Sequence, residues 1–125
     1  MTRVQLEIPP SPVYAGVARL AVAALARSAG FNEDRVEELK IAAGEACANA
    51  VLHNEGSGTP VVISWVEDPE AVVVEVADRG TDHDADEGSE RMAMSMALLQ
   101  SLVDAYEVSP RDGGGMCARL TLRRP

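Results

Sequence analysis

The chain has 125 residues, 46% of them hydrophobic and 25% charged, which fits one globular domain over residues 1–125 and argues against long disorder. A formal net charge of −9 disfavours direct binding of nucleic acid or of an anionic membrane, because phosphate groups would be repelled. The apolar runs are far shorter than a membrane span, which predicts a cytoplasmic protein.

The first half of the chain predicts one strand followed by two helices. Apolar and polar residues alternate over residues 3–8, as they do in a half-buried strand. Ser11-Pro12 supplies an N-cap residue and a first-turn proline for a helix over about residues 12–28. Asn32 is the predicted N-cap of a second, longer helix that ends before Gly56.

The second half of the chain predicts four strands and a third helix. Val61–Val66 and Ala71–Ala77 are rich in β-branched residues and are separated by a short polar turn, which is typical of a hairpin. The second run is nearly continuous in valine, so we expect both faces of that strand to be covered. A helix over about residues 91–104 and two strands over 106–109 and 116–123 complete an α+β two-layer sandwich.

A stripe of polar residues runs along the second helix between two apolar surfaces. On a helical wheel, the predicted core face consists of Leu39, Ala43, Ala46, Cys47 and Ala50. A second apolar patch contains Ile41, Ala48 and Leu52, and the polar residues between the two surfaces are Glu38, Glu45, Asn49 and His53. Ionised carboxylates are costly to bury unless they are paired or bind a metal, so we expect the stripe to line a cavity.

Glu45 and Asn49 are the most informative pair in this stripe. They are spaced i and i+4, which places them one turn apart on the same face of the helix. The carboxylate provides a proton acceptor and the carboxamide a neutral oxygen ligand, a combination suited to Mg²⁺ and to a water or hydroxyl group. The alternative is an ordinary surface pair beside a solvated His53, and the wheel alone leaves both interpretations open.

A second candidate site begins where the valine-rich strand ends. Asp78-Arg79-Gly80 places a carboxylate at the tip of the strand, followed by a glycine that permits a tight turn. A buried aspartate at this point would accept a hydrogen bond from an exocyclic amine, which favours adenine over guanine. Taken by itself, the pattern is more typical of a simple turn at the end of a strand.

The two candidate sites occur in a characteristic order. The run over residues 45–53, Glu-Ala-Cys-Ala-Asn-Ala-Val-Leu-His, is followed about thirty residues later by Asp78-Arg79-Gly80. Together these segments resemble the N box and the G1 box of the Bergerat-fold, histidine-kinase-like ATPases. Within that superfamily the chain resembles the small anti-sigma factor serine/threonine kinases of the partner-switching type. The resemblance implies a mixed, mostly antiparallel sheet backed by three helices.

The resemblance also implies roles for individual residues. Glu45 would be the general base that activates a serine hydroxyl of a protein substrate. Asn49 would bind the Mg²⁺ ion that bridges the phosphates of ATP. Asp78 would accept a hydrogen bond from the adenine amino group, and Gly80 would let the backbone approach the base. His53 occupies the closing position of the N box and is assigned to the nucleotide site without a defined role.

The chain departs from the family pattern at the G2 box. The family has a Gly-x-Gly-hydrophobic sequence at the start of the last helix, and this chain has Ala93-Met94-Ser95-Met96. Ala93 and Ser95 therefore take the glycine positions on the phosphate side of the predicted nucleotide site. Glycine allows the backbone to approach phosphate closely, so its replacement predicts a weaker hold on the γ-phosphate.

The function implied by the resemblance is that of an ATP-binding anti-sigma factor with protein-serine kinase activity, dependent on ATP and Mg²⁺. Such a protein would sequester a sigma factor, phosphorylate an anti-anti-sigma protein of the STAS type, and form a homodimer. Two alternatives remain open. One is a non-enzymatic module of the same fold that sequesters a partner with weak or no nucleotide binding. The other is an acidic α/β domain unrelated to ATP, in which the polar stripe pairs with a local cation.

Overall fold

The computed structural model describes residues 2–54, 58–79 and 90–125, so Gly80 lies outside the described residues. In chain order the elements are β1 (Thr2–Ile8), α1 (Pro12–Ser28), α2 (Glu33–Asn54), β2 (Val61–Glu67), β3 (Ala71–Ala77), α3 (Glu90–Leu102), β4 (Ala105–Pro110) and β5 (Met116–Arg123). Their types and order match the prediction, and the bounds differ by two residues or fewer. None of these three helices has the length and apolar content that a membrane span requires.

The strands form one sheet in the order β1-β2-β3-β5-β4. Two helices connect β1 to β2. The chain leaves the sheet after Ile8 and, after α1 and α2, re-enters it at the same end, where Val61 pairs with Ile8. The α+β two-layer architecture with three helices is confirmed. The sheet is not mixed, however, because each of the four pairings among the described strands is antiparallel.

The helices cover one face of the sheet. On β3, the side chains of Val72, Val74 and Val76 face the helices and are 0%, 0% and 2% exposed. Val73 and Glu75 alternate onto the opposite face and are only half-buried. The prediction that both faces of this strand are covered is therefore wrong, and the preference of valine for extended backbone explains the run instead. The core face predicted for α2 is buried as expected.

Arg35 ties the start of α2 to the end of α3. Asn32 caps α2 by accepting a hydrogen bond from the Arg35 backbone N–H at 2.9 Å, as predicted. The Arg35 side chain donates to the carbonyl of Leu102 at 2.9 Å and pairs with Asp104 at 3.0 Å. Asp104 also accepts from the backbone N–H of Arg123, and this bond, together with the Arg35 guanidinium, lowers the pKa of Asp104. These contacts fix α3 against α2.

Candidate functional site

A cavity of about 230 Å³ lies between α2, α3 and the β4–β5 hairpin. Asn49 and His53 of the polar stripe line it, together with Asp78 just beyond the end of β3. The rest of the wall is largely apolar and consists of Ala46, Ala50, Val76, Met92, Met96, Tyr106, Val108, Met116 and Ala118. An apolar cavity with a few convergent polar groups is typical of a small-molecule site. The volume is below the about 300–1,000 Å³ usual for such sites, so it suits a flat heterocycle better than a whole nucleotide.

The polar stripe of α2 divides between this cavity and the protein surface. Asn49 is 9% exposed and lines the cavity beside the half-buried His53. Glu45 is half-buried and lines a surface groove between α1 and α2. Glu38 is not among the residues that line the cavity, and it pairs with Arg35 at 3.4 Å. The expectation that the stripe lines a cavity therefore holds for Asn49 and His53 and not for Glu38 or Glu45, of which Glu45 lines the surface groove instead.

Ser95 forms hydrogen bonds with both Glu45 and Asn49, which lie one turn apart on α2. Its hydroxyl donates a hydrogen bond to Glu45 Oε2 at 2.6 Å and accepts one from Asn49 Nδ2 at 2.7 Å. The amide oxygen of Asn49 accepts from Arg91 Nη1 at 3.1 Å. Because Ser95 is only 5% exposed, its hydrogen bonds lie where little water competes and are electrostatically stronger than at the surface.

The segment at the G2-box position is helical. α3 begins at Glu90 and includes both Ala93 and Ser95. Ser95 faces α2, whereas Ala93 is exposed and is not among the residues that line the cavity. A hydroxymethyl group thus stands beside Glu45 and Asn49, where a glycine would leave space.

Asp78 is held in place by the β4–β5 hairpin. Asp78 is 3% exposed, and its Oδ1 accepts a hydrogen bond from the backbone N–H of Met116 at 3.3 Å. The backbone N–H of Asp78 donates to the Met116 carbonyl at 2.9 Å, and the Asp78 carbonyl accepts from Arg111 Nη1 at 2.9 Å. A simple surface turn would not bury a carboxylate in the wall of a cavity. An ionised carboxylate only accepts hydrogen bonds, so the side chain of Asp78 is chemically suited to an N–H group of a ligand.

Glu45 lines the α1–α2 groove and not the cavity, but its charge acts on Tyr106 in the cavity wall. Burial raises the pKa of the Tyr106 phenol to about 12, and the negative charge of Glu45 contributes to this rise. Tyr106 lines the cavity, so the field of the carboxylate reaches the cavity wall. The same carboxylate opens onto the groove, which is otherwise lined by Pro12, Val13, Ala15, Gly16, Arg19, Ile41, Gly44 and Ala48.

The described residues fit an adenine base and a magnesium ion. The cavity offers apolar walls for a base and the Asp78 carboxylate for its amino group. Asn49 Oδ1 is a neutral oxygen ligand of the kind Mg²⁺ accepts once the Arg91 side chain is displaced. Across the described ranges no group of three His, Cys, Asp or Glu residues could hold a metal by itself. Mg²⁺ commonly takes few protein ligands and completes its shell with water and substrate phosphates, so one amide oxygen is compatible with binding.

The contribution of the β4–β5 hairpin was missed by the sequence analysis. Tyr106 and Val108 of β4 line the cavity, as do Met116 and Ala118 of β5. Each pair is spaced by two residues and so shares a face of its strand, a periodicity that the sequence contains. The contacts of Arg91 and Ser95 had no such local signal, because their partners on α2 lie 42 and 50 residues away along the chain.

Comparison with known proteins identifies the family. A profile of the histidine kinase-like ATPase domain matches residues 8–122. The chain belongs to this family, as the order and spacing of the N-box and G1-box segments predicted.

Several serine-protein kinases named RsbW are similar to this chain over most of its length. It is 28% identical over 129 residues to that of Bacillus pumilus, covering 88% of this chain and 80% of the relative. It is 28% identical over 127 residues to that of Bacillus subtilis, covering 88% and 79%. It is 33% identical over 130 residues to that of Bacillus licheniformis, covering 88% and 80%. The predicted relationship to serine kinases is confirmed.

The fold is also that of a solved structure, the RsbU and RsbW domains of Rv1364c from Mycobacterium tuberculosis. The TM-score is 0.78 at 19% sequence identity, and the match covers 100% of this chain. This chain spans 34% of that longer chain. The similarity therefore concerns the fold of one part of the Mycobacterium protein.

Proposed function

We propose that this protein is an ATP-binding anti-sigma factor with protein-serine kinase activity. It sequesters a sigma factor and phosphorylates a serine of an anti-anti-sigma protein of the STAS type, with ATP and Mg²⁺, in the cytoplasm. Two findings support the proposal. One is the similarity to serine-protein kinases, and the other is that Glu45 lines the α1–α2 groove while its charge acts on Tyr106 in the cavity wall.

Glu45 is the proposed general base. A base must lie within hydrogen-bond reach of the proton it takes, about 2.6–3.2 Å between heavy atoms. The bond from Ser95 Oγ at 2.6 Å supports the role, since it demonstrates a hydroxyl donor at that distance from the carboxylate. Glu45 also lines the α1–α2 groove, so a serine of a protein substrate can approach from that side while the nucleotide occupies the cavity.

Asp78 and Asn49 are the proposed contacts to the base and the metal. Asp78 accepts from the adenine amino group, and its burial excludes water that would compete for this bond. Asn49 Oδ1 holds Mg²⁺, which supplies charge neutralisation to the ATP phosphates when bound. The other residues proposed for the nucleotide site are His53, Gly80, Ala93 and Ser95.

The exposed face of α1 is the proposed contact surface for protein partners. Val13, Val17 and Leu20 are 69%, 48% and 65% exposed and are spaced three or four residues apart, so they form one stripe. Contiguous exposed apolar surface marks sites of protein association. The stripe supports a homodimer or a sigma-factor interface, and the net charge of −9 argues against direct contact with nucleic acid or membrane.

A thermal melt with and without nucleotide tests the binding part of the proposal. A ligand that binds only the folded state stabilises it by roughly 2.7 kcal/mol at about 100 times its Kd. We expect ATP with Mg²⁺ to raise the melting temperature and GTP to raise it less. An unchanged melting temperature with every adenine nucleotide would refute ATP binding. Phosphotransfer to STAS-type proteins and co-purification with sigma factors of the same organism test the remainder.

A non-enzymatic module that sequesters a partner is the second candidate. It is favoured by the contacts of α3, because Ser95 and Arg91 engage the polar atoms of Glu45 and Asn49 that a phosphotransfer reaction requires. This candidate predicts a weak or absent thermal response to ATP with Mg²⁺, while the complex with the partner still forms.

A further inference from the structure

We infer that the protein phosphorylates its own Ser95. The inference rests on the proposed ATP-dependent kinase function and adds a modification site within the active site itself. The observation behind it is that the chain already presents a serine hydroxyl to the proposed base, because Ser95 Oγ donates to Glu45 Oε2 at 2.6 Å.

Ser95 has the contacts that an activated nucleophile needs. Its distance from Glu45 falls in the range over which a general base takes a proton from a hydroxyl group. Asn49 Nδ2 donates to the same oxygen at 2.7 Å and so fixes the orientation of the side chain. A hydroxyl oxygen has two lone pairs, of which Asn49 engages one and the other is available for attack on phosphorus.

The groups that would hold the γ-phosphate adjoin the same hydroxyl. The amide of Asn49 contacts Ser95 through Nδ2 and presents Oδ1, the proposed Mg²⁺ ligand, on the other side of the same planar group. Arg91 Nη1 donates to Oδ1 at 3.1 Å, and once Mg²⁺ takes its place at this oxygen, the guanidinium can pair with a phosphate oxygen instead. Cations attract phosphate oxygens, so these groups bring the terminal phosphate of a bound ATP close to Ser95.

The burial of Ser95 favours an intramolecular reaction. The residue is 5% exposed and lies between α3 and α2, so the active site of a second molecule cannot approach its hydroxyl. Ser101 on the same helix provides a contrast, because it is exposed and its hydroxyl donates to the Leu98 carbonyl at 2.7 Å. The reaction at Ser95 is therefore first order in protein.

The reaction consumes one ATP and needs no further reactant. Glu45 takes the proton of the Ser95 hydroxyl while Oγ forms a bond to the γ-phosphorus of ATP. The bond from that phosphorus to the β–γ bridging oxygen breaks, and its electron pair leaves with ADP. Glu45 then releases the proton to solvent. The phosphate ester on Ser95 carries about −1.5 to −2 charge at pH 7 beside the Glu45 carboxylate, so we expect the modified protein to bind ATP more weakly.

Intact-mass spectrometry of the purified chain, incubated with ATP and Mg²⁺, tests this inference. We expect the wild type to gain one phosphoryl group, located on Ser95 by peptide mapping, at a rate that does not change with protein concentration. Ser95→Ala should gain none, and the control Ser101→Ala should gain it at the wild-type rate. Glu45→Gln should slow the gain by about 10²–10⁴-fold, the usual effect of removing a general base. Thermal melts of every variant with ATP and Mg²⁺ report folding and nucleotide binding.

The melts distinguish failure of this inference from failure of the proposed function. A wild type that is stabilised by ATP but gains no phosphoryl group overturns the inference and leaves the proposed function standing. Phosphate on another residue, or a rate that rises with protein concentration, also overturns the inference alone. A protein that ATP does not stabilise overturns both. If Ser95→Ala does not fold, Ser95→Thr replaces it as the variant, because threonine keeps a hydroxyl at this position. The peptide map of the wild type then decides whether the phosphate is on residue 95.

Discussion

The backbone of Gly115 packs so closely against the backbone of Asp78 that no side chain fits between them. A Cβ atom at position 115 would lie 2.0 Å from the Asp78 carbonyl oxygen and 2.7 Å from the Cα of Arg79. Gly115 also has φ of +93°, a conformation that favours glycine. The β4–β5 hairpin therefore sets the position of the buried carboxylate that faces the cavity.

Replacement of Gly115 by alanine should disturb both stability and nucleotide binding. Gly114→Ala is the matched control, because Gly114 has φ of +107° but nothing lies within 4 Å of a Cβ there. Each variant should lose about 1–3 kcal/mol for the unfavourable backbone conformation. Gly115→Ala should lose more, since the backbone at Asp78 must also move, and only this variant should lose its thermal response to ATP. Urea unfolding and thermal melts measure the two effects. Equal effects of the two variants would show that the contact with Asp78 is unimportant.

Substitution of Glu45 should affect the rate of phosphotransfer, whereas substitution of Asn49 should affect the binding of ATP. Glu45→Gln is expected to lower the phosphotransfer rate by about 10²–10⁴-fold while ATP affinity is retained, because the amide cannot accept the proton. Asn49→Ala should weaken Mg²⁺-dependent ATP binding, measured by calorimetry with and without the ion. Glu38→Gln serves as the control, since Glu38 is on the same helix but pairs with Arg35. Equal phosphotransfer by the wild type and Glu45→Gln would remove Glu45 from the role of base.

Asp78 should determine the preference for adenine. If its carboxylate accepts from the exocyclic amine, Asp78→Asn offers only a weaker neutral acceptor or a mismatched donor. A hydrogen bond to a charged group contributes about 1.5–3 kcal/mol, so most of the preference for ATP over GTP should disappear. Competition binding with both nucleotides measures this difference. A wild type that binds ATP and GTP equally would exclude base recognition by Asp78.

The elements and the α2 site were predictable because their signals are local. Asn32 marks where α2 starts, and Glu45 and Asn49 share a side of α2 by helical geometry alone. The contact of Ser95 with Glu45 depends instead on how α3 packs on α2, which no periodicity encodes. The same holds for the role of Gly115, which follows from the placement of β5 beside β3 in the sheet.

The titration of Tyr106 should report its proximity to Glu45. Burial, with the charge of Glu45, raises the pKa of this phenol to about 12. The unfolded chain releases the same proton near pH 10, so the stability that the neutral phenol contributes should decline as the pH rises from about 10 to 12. In a Tyr14→Phe background, tyrosinate absorbance follows Tyr106 alone. Glu45→Gln should lower the pKa of Tyr106 and Glu38→Gln should not; identical titrations in both variants would contradict the proximity.

Restoration of the glycines of the G2 box should strengthen the hold on the γ-phosphate. We expect the wild type to bind ATP and ADP with similar affinity, because α3 is helical through Ala93 and the Ser95 side chain engages Glu45 and Asn49. The double change Ala93→Gly and Ser95→Gly frees both polar groups and lets the backbone approach phosphate, so ATP affinity should rise more than ADP affinity.

Glycine in a helix interior costs roughly 0.8–1.0 kcal/mol per site, so affinities in this experiment must be compared on folded protein. Ala97→Gly is the control, because Ala97 is exposed on the same helix and should lower stability without a change in the ratio of ATP to ADP affinity. Calorimetric titrations of the three proteins with both nucleotides measure that ratio. Tight binding of ATP over ADP by the unmodified chain would contradict the prediction, since Ser95 and the neighbouring backbone amides would then suffice to hold the terminal phosphate.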